Sequence, residues 1–281
     1  MTNLLRTLIF DGWVSLTVAD TTETVKEAVK LHKLSKKSAY VLGKALSAMS
    51  FMSACLKNER GEISLSLQTD GEAQSIGVSG NKNLYMRGYI QNKFLSDTVT
   101  SEEIFAGKSA FTIVRDDGYN MPFVGTCQIP KSGDLDEAFE EYFSLSEQIP
   151  TKLFTAVTFN TLGEVEFAGV VALQPLPFAS EEILEKMHAF NGEEFLSLIK
   201  EKGVVQGTNE RFEKSAEVWE ERTVSYRCNC SKEYLSRVLV TLGKEQLFKI
   251  IEEDGSIKVH CHYCSSDYEF TKEDALDLFK D

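Results

Sequence analysis

Four of the six cysteines in this chain of 281 residues sit in its last fifth, as Cys228-Asn229-Cys230 and Cys261-His262-Tyr263-Cys264. The spacing is C-x-C, about thirty residues, then C-x-x-C. Two close thiolate pairs brought together make a tetrahedral four-sulfur site. Such a site suits zinc, which accepts soft ligands and has no redox chemistry of its own. The same sulfurs can also pair as two local disulfides, so one set of atoms offers a metal site and an oxidation switch. The expectation is one zinc ion per reduced chain, held by Cys228, Cys230, Cys261 and Cys264. Four thiolates leave no open position for a reactive water, so zinc-assisted hydrolysis is not expected. His260 and His262 flank Cys261. With the shell already full, they are read as outer neighbours of the sulfurs or as exposed side chains.

The segment carrying these cysteines, 226–281, is short and poor in large apolar residues. A unit that small rarely folds on its core alone and commonly needs a staple such as a metal. Before it, from Ser180 to Arg222, the chain is rich in Glu and Lys, with apolar residues at helical spacing: Ile183, Leu184, Met187, Phe190, Phe195, Leu196, Leu198 and Ile199. Between Leu176 and Ser225, eleven acids face six bases. This reads as a charged helical connector, 178–225, either permanently folded or metastable and held only while it has something to pack on.

The remaining residues, 1–177, read as an α+β domain with a mostly antiparallel sheet. Strands are expected over 6–10 and 13–19 about the Asp11-Gly12 turn, then a helix capped by Thr21 or Thr22 and running to about Leu34. A second helix, about 37–56, carries the small residues Ala39, Gly43, Ala45, Ser47, Ala48, Ser50 and Ala54, which allow close approach to a sheet. The period then changes to two. Residues 62–68 alternate cleanly, as a half-buried strand does, and short strands are expected over 73–79, 84–91, 110–115 and 121–129. A helix over 135–147 and strands over 151–160 and 164–174 complete the domain, which Pro175-Leu176-Pro177 closes.

The chain carries a formal net charge of −13 and a pI of about 4.9. That balance repels nucleic acid and anionic membranes. No apolar run spans a bilayer, and Met1–Phe10 lacks the basic start and cleavage site of a secretory leader. A cytosolic location is expected, where thiols stay reduced and clustered cysteines mean metal or redox function. Cys55, in an apolar helix, and Cys127, in a strand, are read as buried and inert. No nucleotide-binding loop and no Ser/His/Asp or Cys/His arrangement stands out, so an enzyme is not expected. Asp116, Asp117, Asp134 and Asp136 fall at turns and helix starts, where acids belong anyway.

A switch follows from the spacing. Zinc holds the sulfurs as thiolates, which an oxidant converts to sulfenic acid before a neighbouring thiolate closes a disulfide. Zinc binding energy is folding energy in small domains, on the order of 10 kcal/mol. Oxidation is therefore expected to unfold the cysteine unit and deprive the connector of a packing partner.

The motifs Cys228-Asn229-Cys230-Ser231 and His260-Cys261-His262-Tyr263-Cys264 resemble the zinc site of the 33-kilodalton heat-shock protein family, bacterial redox-regulated chaperones. The stretch from Glu141 to Thr151 (EYFSLSEQIPT), Ala168-Gly169 through Leu173-Gln174-Pro175-Leu176-Pro177, and Asp254-Gly255 also match that family in order. The resemblance implies a protein of the oxidative stress response, inactive while reduced and zinc-bound. Oxidation would form Cys228–Cys230 and Cys261–Cys264 disulfides, expel zinc, and unfold the cysteine unit and connector. The opened chain would hold unfolding client proteins without ATP, often as a homodimer. Residues that touch clients are not assigned by the sequence; Phe and Met side chains of the connector and the apolar sheet beneath it are candidates. Two other readings stand beside this one. A zinc-ribbon binding module would contact nucleic acid or a fixed protein partner, although 226–281 carries eleven acids against eight bases. A thiol-disulfide oxidoreductase would need the C-x-x-C at a helix start.

Overall fold

In the computed structural model of the chain, residues 2–212 and 220–279 are described. The part of the expected connector at 213–219 lies outside them. The chain divides into two compact units, Met1–Arg227 and Cys228–Asp281.

The first unit is α+β. Its elements run β1 (Leu4–Ile9), β2 (Val14–Asp20), α1 (Thr22–His32), α2 (Lys36–Ala54), β3 (Glu62–Thr69), β4 (Ser75–Asn81), β5 (Tyr85–Ile90) and the short α3 (Ser101–Ile104). Then come β6 (Ser109–Asp116), β7 (Phe123–Cys127), α4 (Leu135–Tyr142), a π-helical turn Phe143–Glu147, β8 (Lys152–Phe159) and β9 (Val165–Pro175). Helices α5 (Glu181–His188), α6 (Gly192–Lys202) and α7 (Val204–Arg211) follow, then the short strands β10 (Glu220–Arg222) and β11 (Ser225–Tyr226).

These strands form two sheets where the sequence suggested one, in the orders β10-β1-β2-β9-β8 and β11-β5-β4-β3-β6-β7. Neighbours pair antiparallel except β11, which lies parallel to β5. Helix α2 explains the division, because it packs against strands of both sheets and is buried along nearly its whole length. Its small residues permit that. A Cβ on Gly43 would stand 2.9 Å from Val157 Cγ2 and 3.0 Å from Val25 Cγ1. Most of its buried hydroxyls find partners, Ser53 Oγ being the exception, with Ser50 Oγ donating to Ser47 O at 2.6 Å and Ser38 Oγ to Asn92 O at 2.9 Å. Pairing them removes most of the penalty of taking a polar group out of water.

The five-stranded sheet is covered on both faces. Leu4, Ala19 and Val170 face the α2 side, while Leu5, Val18 and Val171 face Ile183, Met187, Phe190, Phe195 and Ile199 of the α5–α6 region. This accounts for the unbroken apolar run in β9, where every residue from Phe167 to Leu173 is buried. By contrast β3 alternates, with Ile63, Leu65 and Leu67 inward.

Several expectations change in detail. Thr21 occupies the N-cap of α1, but its hydroxyl meets Ser47 Oγ at 2.6 Å. Asp20 instead accepts from the Thr22 N–H at 2.9 Å. The strand expected over 121–129 contracts to β7, since Pro122 has no N–H for the ladder. The helix expected over 135–147 changes to a π turn at Phe143 and ends on a left-handed Gln148. Among the described residues the connector is helical to Arg211. Its end supplies β10 and β11, which pair with the outer strands β1 and β5 and cover edges that would otherwise be open.

The second unit contains α8 (Lys232–Val240), α9 (Lys244–Asp254), the hairpin β12 (Ile257–His260) and β13 (Asp267–Phe270), and α10 (Lys272–Asp277). Among the described residues its buried core is Leu239, Leu247, Ile251, Ile257, Phe270 and Ala275.

Candidate metal centre

The two cysteine pairs reach one point by different routes. Cys228 and Cys230 lie in extended chain directly before α8, whose N-cap Ser231 accepts from the Tyr234 N–H at 3.1 Å. That cap fixes where the helix begins and so where Cys230 sits. Cys261 and Cys264 occupy the tight turn between β12 and β13. The Cys261 N–H donates to Ser266 O at 2.9 Å, the Ser265 N–H donates to Cys261 O at 2.8 Å, and Ser265 takes a left-handed φ of 54°. The strands pair from Ile257↔Phe270 to His260↔Asp267, which holds the turn closed.

All four Sγ atoms lie within 4.8 Å of one another, and each cysteine is half-buried. Across the two pairs, Cys228 Sγ stands 3.7 Å from Cys261 Sγ and Cys230 Sγ 3.2 Å from Cys264 Sγ. A zinc ion with bonds of about 2.3 Å to four sulfurs needs sulfurs about 3.8 Å apart. The donor set and its spacing fit a tetrahedral thiolate-bound ion, and the four cysteines could hold a metal.

The sulfurs differ in their surroundings. Burial pushes the thiols of Cys228 and Cys261 up. Burial also acts against ionising Cys264, but hydrogen bonds from the Ser266 side chain and its neighbours outweigh it and bring this thiol down to about 7. Ser266 Oγ stands 3.3 Å from Cys264 Sγ. Tyr268 Oη stands 3.1 Å from Cys230 Sγ and donates to Cys230 O at 3.3 Å. Its hydrogen bond with Cys230 is the main cause of a phenol pKa raised above the usual range. The sequence reading missed both hydroxyls. The alternation of β13 was the available signal, because it puts Tyr268 on the same side as buried Phe270, but only the hairpin register brings the phenol to a sulfur.

Neither histidine joins the cluster. His260 is exposed and its Nδ1 meets Asp267 Oδ1 at 2.7 Å, while His262 is exposed with its ring 5.4 Å from that of His260. The C-x-x-C turn leads into strand β13, and α10 starts only at Lys272, so the helix-start geometry of a dithiol oxidoreductase is missing at this pair. Cys127 is buried, and desolvation pushes its thiol up to about 12. Cys55 is half-buried, and burial raises its pKa too. The acids named from the sequence have local duties. Asp134 caps α4 by accepting from the Asp136 N–H at 2.8 Å, and Asp136 accepts from Thr155 Oγ1 at 2.5 Å. Asp117 accepts from the Tyr119 and Asn120 N–H groups within its turn. Among the described residues no helix is long and apolar enough to cross a membrane.

An α+β body followed by a compact four-cysteine unit able to hold a metal defines the class of this protein. The family model described as Hsp33 protein matches residues 2–271, and the chain belongs to that family. It is 30% identical over 291 residues to the 33 kDa chaperonin of Clostridium perfringens (strain SM101 / Type A), covering 99% of this chain and 91% of that one. Against the 33 kDa chaperonin of Bacillus cereus (strain G9842) the identity is 32% over 292 residues, with 99% and 98% covered. The fold is similar to the crystal structure of the 33 kDa chaperonin from Thermotoga maritima, with a TM-score of 0.78, 24% identity, and 99% and 98% of the two chains covered.

Proposed function

We propose that this chain is a redox-regulated, ATP-independent holdase chaperone of the cytosol, with Cys228, Cys230, Cys261 and Cys264 as zinc ligands and redox centres. The observation that carries the reading is the meeting of four sulfurs within 4.8 Å in a unit with a very small apolar core. The name chaperonin borne by its relatives supports the chaperone part. Zinc, when bound, supplies the cross-link between the two pairs and keeps the sulfurs as thiolates.

The chemistry of the switch then belongs to the cysteines. A thiolate attacks one oxygen of a peroxide, the O–O bond breaks, and the sulfur becomes a sulfenic acid. The other thiolate of its pair attacks that sulfur, the S–S bond forms, and the oxygen leaves as water after protonation. Closing each disulfide takes two electrons from its cysteine pair and gives them to one hydrogen peroxide, which ends as two molecules of water. Pairing within Cys228/Cys230 and Cys261/Cys264 uses partners adjacent in sequence. Those two small loops restrain the unfolded chain little. The segment 226–281 acts as the switch, 178–225 as a connector whose helices open, and 1–177 as the body offering a client surface.

The apolar side chains of the connector suit that role. Met187, Phe190 and Phe195 are buried against Leu16, Val171 and Leu173 of the five-stranded sheet. Opening α5–α7 would bare both surfaces to unfolding proteins, and the oxidised chain would pair as a homodimer. The function is binding, with no catalysed step and no nucleic-acid or membrane partner.

The test is light scattering from a client protein that aggregates on heating, with this chain added either reduced and zinc-loaded or oxidised and zinc-free. Suppression by the oxidised form alone is the expected result. Equal suppression in both states would remove the switch, and none in either would remove the chaperone reading.

A further inference from the structure

The hairpin that delivers Cys261 and Cys264 also delivers a phenol to the other cysteine pair. Tyr268 sits opposite Val259 in the β12–β13 ladder, and its ring packs against the small core of its unit. Its Oη lies 3.1 Å from Cys230 Sγ and 3.3 Å from Cys230 O. A thiolate can only accept hydrogen bonds, so once the sulfur is ionised the single phenol proton turns from Cys230 O to the nearer, charged sulfur. A hydrogen bond to an ionised acceptor is among the stronger kinds, and it draws charge away from the sulfur that must attack an electrophile.

We propose that Tyr268 is a positioning residue of the four-sulfur site: its hydroxyl donates to Cys230 Sγ, aims that sulfur at the metal and slows its attack on electrophiles. The inference rests on the zinc-thiolate reading above. It assigns unequal reactivity to sulfurs that share one ion. It also links the metal site to the core, because the ring is held by the apolar cluster while its hydroxyl holds the sulfur. Ser266, 3.3 Å from Cys264 Sγ, offers an internal comparison on the opposite pair.

The experiment uses the full-length, reduced, zinc-loaded chain and the variants Tyr268→Phe and Ser266→Ala. Zinc content is measured, and iodoacetamide labelling at each of the four cysteines is followed by peptide mass spectrometry. Labelling forms a sulfur–carbon bond with loss of iodide, so it reads nucleophilicity without a redox step. Tyr268→Phe is expected to keep one zinc per chain and to speed labelling of Cys230 about threefold relative to the other three, from the dependence of thiolate nucleophilicity on sulfur basicity. Ser266→Ala is expected to move Cys264 and leave Cys230 unchanged. An unchanged share for Cys230, an equal rise at all four cysteines, or loss of zinc from Tyr268→Phe overturns the assignment. A wild-type chain that binds no zinc overturns the metal reading together with it, whereas the other failures leave that reading standing.

Discussion

The two compact units hold themselves together in different ways. In Met1–Arg227, α2 packs against both sheets, and the five-stranded sheet carries a second apolar layer under α5–α7. Stability there is spread over many side chains, each contributing about 1.5–3 kcal/mol on burial. In Cys228–Asp281 the buried core is Leu239, Leu247, Ile251, Ile257, Phe270 and Ala275 among the described residues, and four sulfurs meet at one point. Gross burial of that size does not outweigh the chain entropy of some fifty residues, at about 1–2 kcal/mol each for the backbone alone. The lesson is that many side chains share the stability of one unit, whereas the other gathers four sulfurs that could hold a metal beside a very small core.

The largest expected effect comes from removing the metal. Chelation of the reduced chain should abolish amide protection in 228–279 and leave β1–β9 protected, because metal binding supplies on the order of 10 kcal/mol of folding energy in such units. Hydrogen exchange read by mass spectrometry checks this. Retained protection around Leu247 and Phe270 without metal would show that the small core stands alone.

Next in size is the contrast between the two kinds of cysteine. Cys127 is buried beside α4, and its pKa of about 12 starves it of thiolate. With the metal removed and the second unit opened, iodoacetamide at pH 8 should label Cys264, then an ordinary exposed thiol with a pKa of about 8.5, at least thirtyfold faster than Cys127. The pH dependence has a definite sign. A thiol whose folded pKa lies above its unfolded value contributes stability that is whole below about pH 9 and fades as pH rises toward 12. Comparable labelling of Cys127 in the folded chain would mean that the first unit opens as readily as the second.

A core truncation tests the other side. Leu46, fully buried in α2, should lose about 2–5 kcal/mol of stability as Leu46→Ala, from lost burial plus a cavity. Urea unfolding of the first unit should show that loss while zinc affinity stays where it was. A parallel fall in zinc affinity would mean that the two units do not unfold separately.

The contrast between the units was partly legible in the sequence. The C-x-C and C-x-x-C spacing named all four sulfurs of the cluster, since short loops constrain where paired thiols can point. The alternation of Ile63, Leu65 and Leu67 gave β3, and the small residues of α2 announced close packing. What stayed hidden depends on distant chain. One long helix packed between two sheets leaves no local mark that separates it from a helix on one sheet. The strands β10 and β11 are short, and Glu220–Arg222 looks like more of the charged connector until β1 offers it an edge. Tyr268 and Ser266 lie a few residues beyond Cys264, yet their contacts with sulfur come from a turn and a register that composition does not encode.

The smallest effect asks whether local helix energy and metal affinity are one quantity in the second unit. Ser231 follows Cys230 directly and caps α8 through the Tyr234 N–H. Ser231→Ala should cost about 1 kcal/mol of helix stability. If the metal-free unit is unfolded, binding must drive folding, and that loss appears in full as zinc affinity weaker by about fivefold. If the metal-free unit is already folded, the cap is present in both states and the affinity does not move. Competition with a chromophoric chelator separates the outcomes, and a change well beyond tenfold would mean that Ser231 touches the sulfurs more directly than a cap does. An unchanged affinity alongside a measurable loss of helix would place the stability of α8 outside the metal's control, and the sharp contrast between the two units would have to be redrawn.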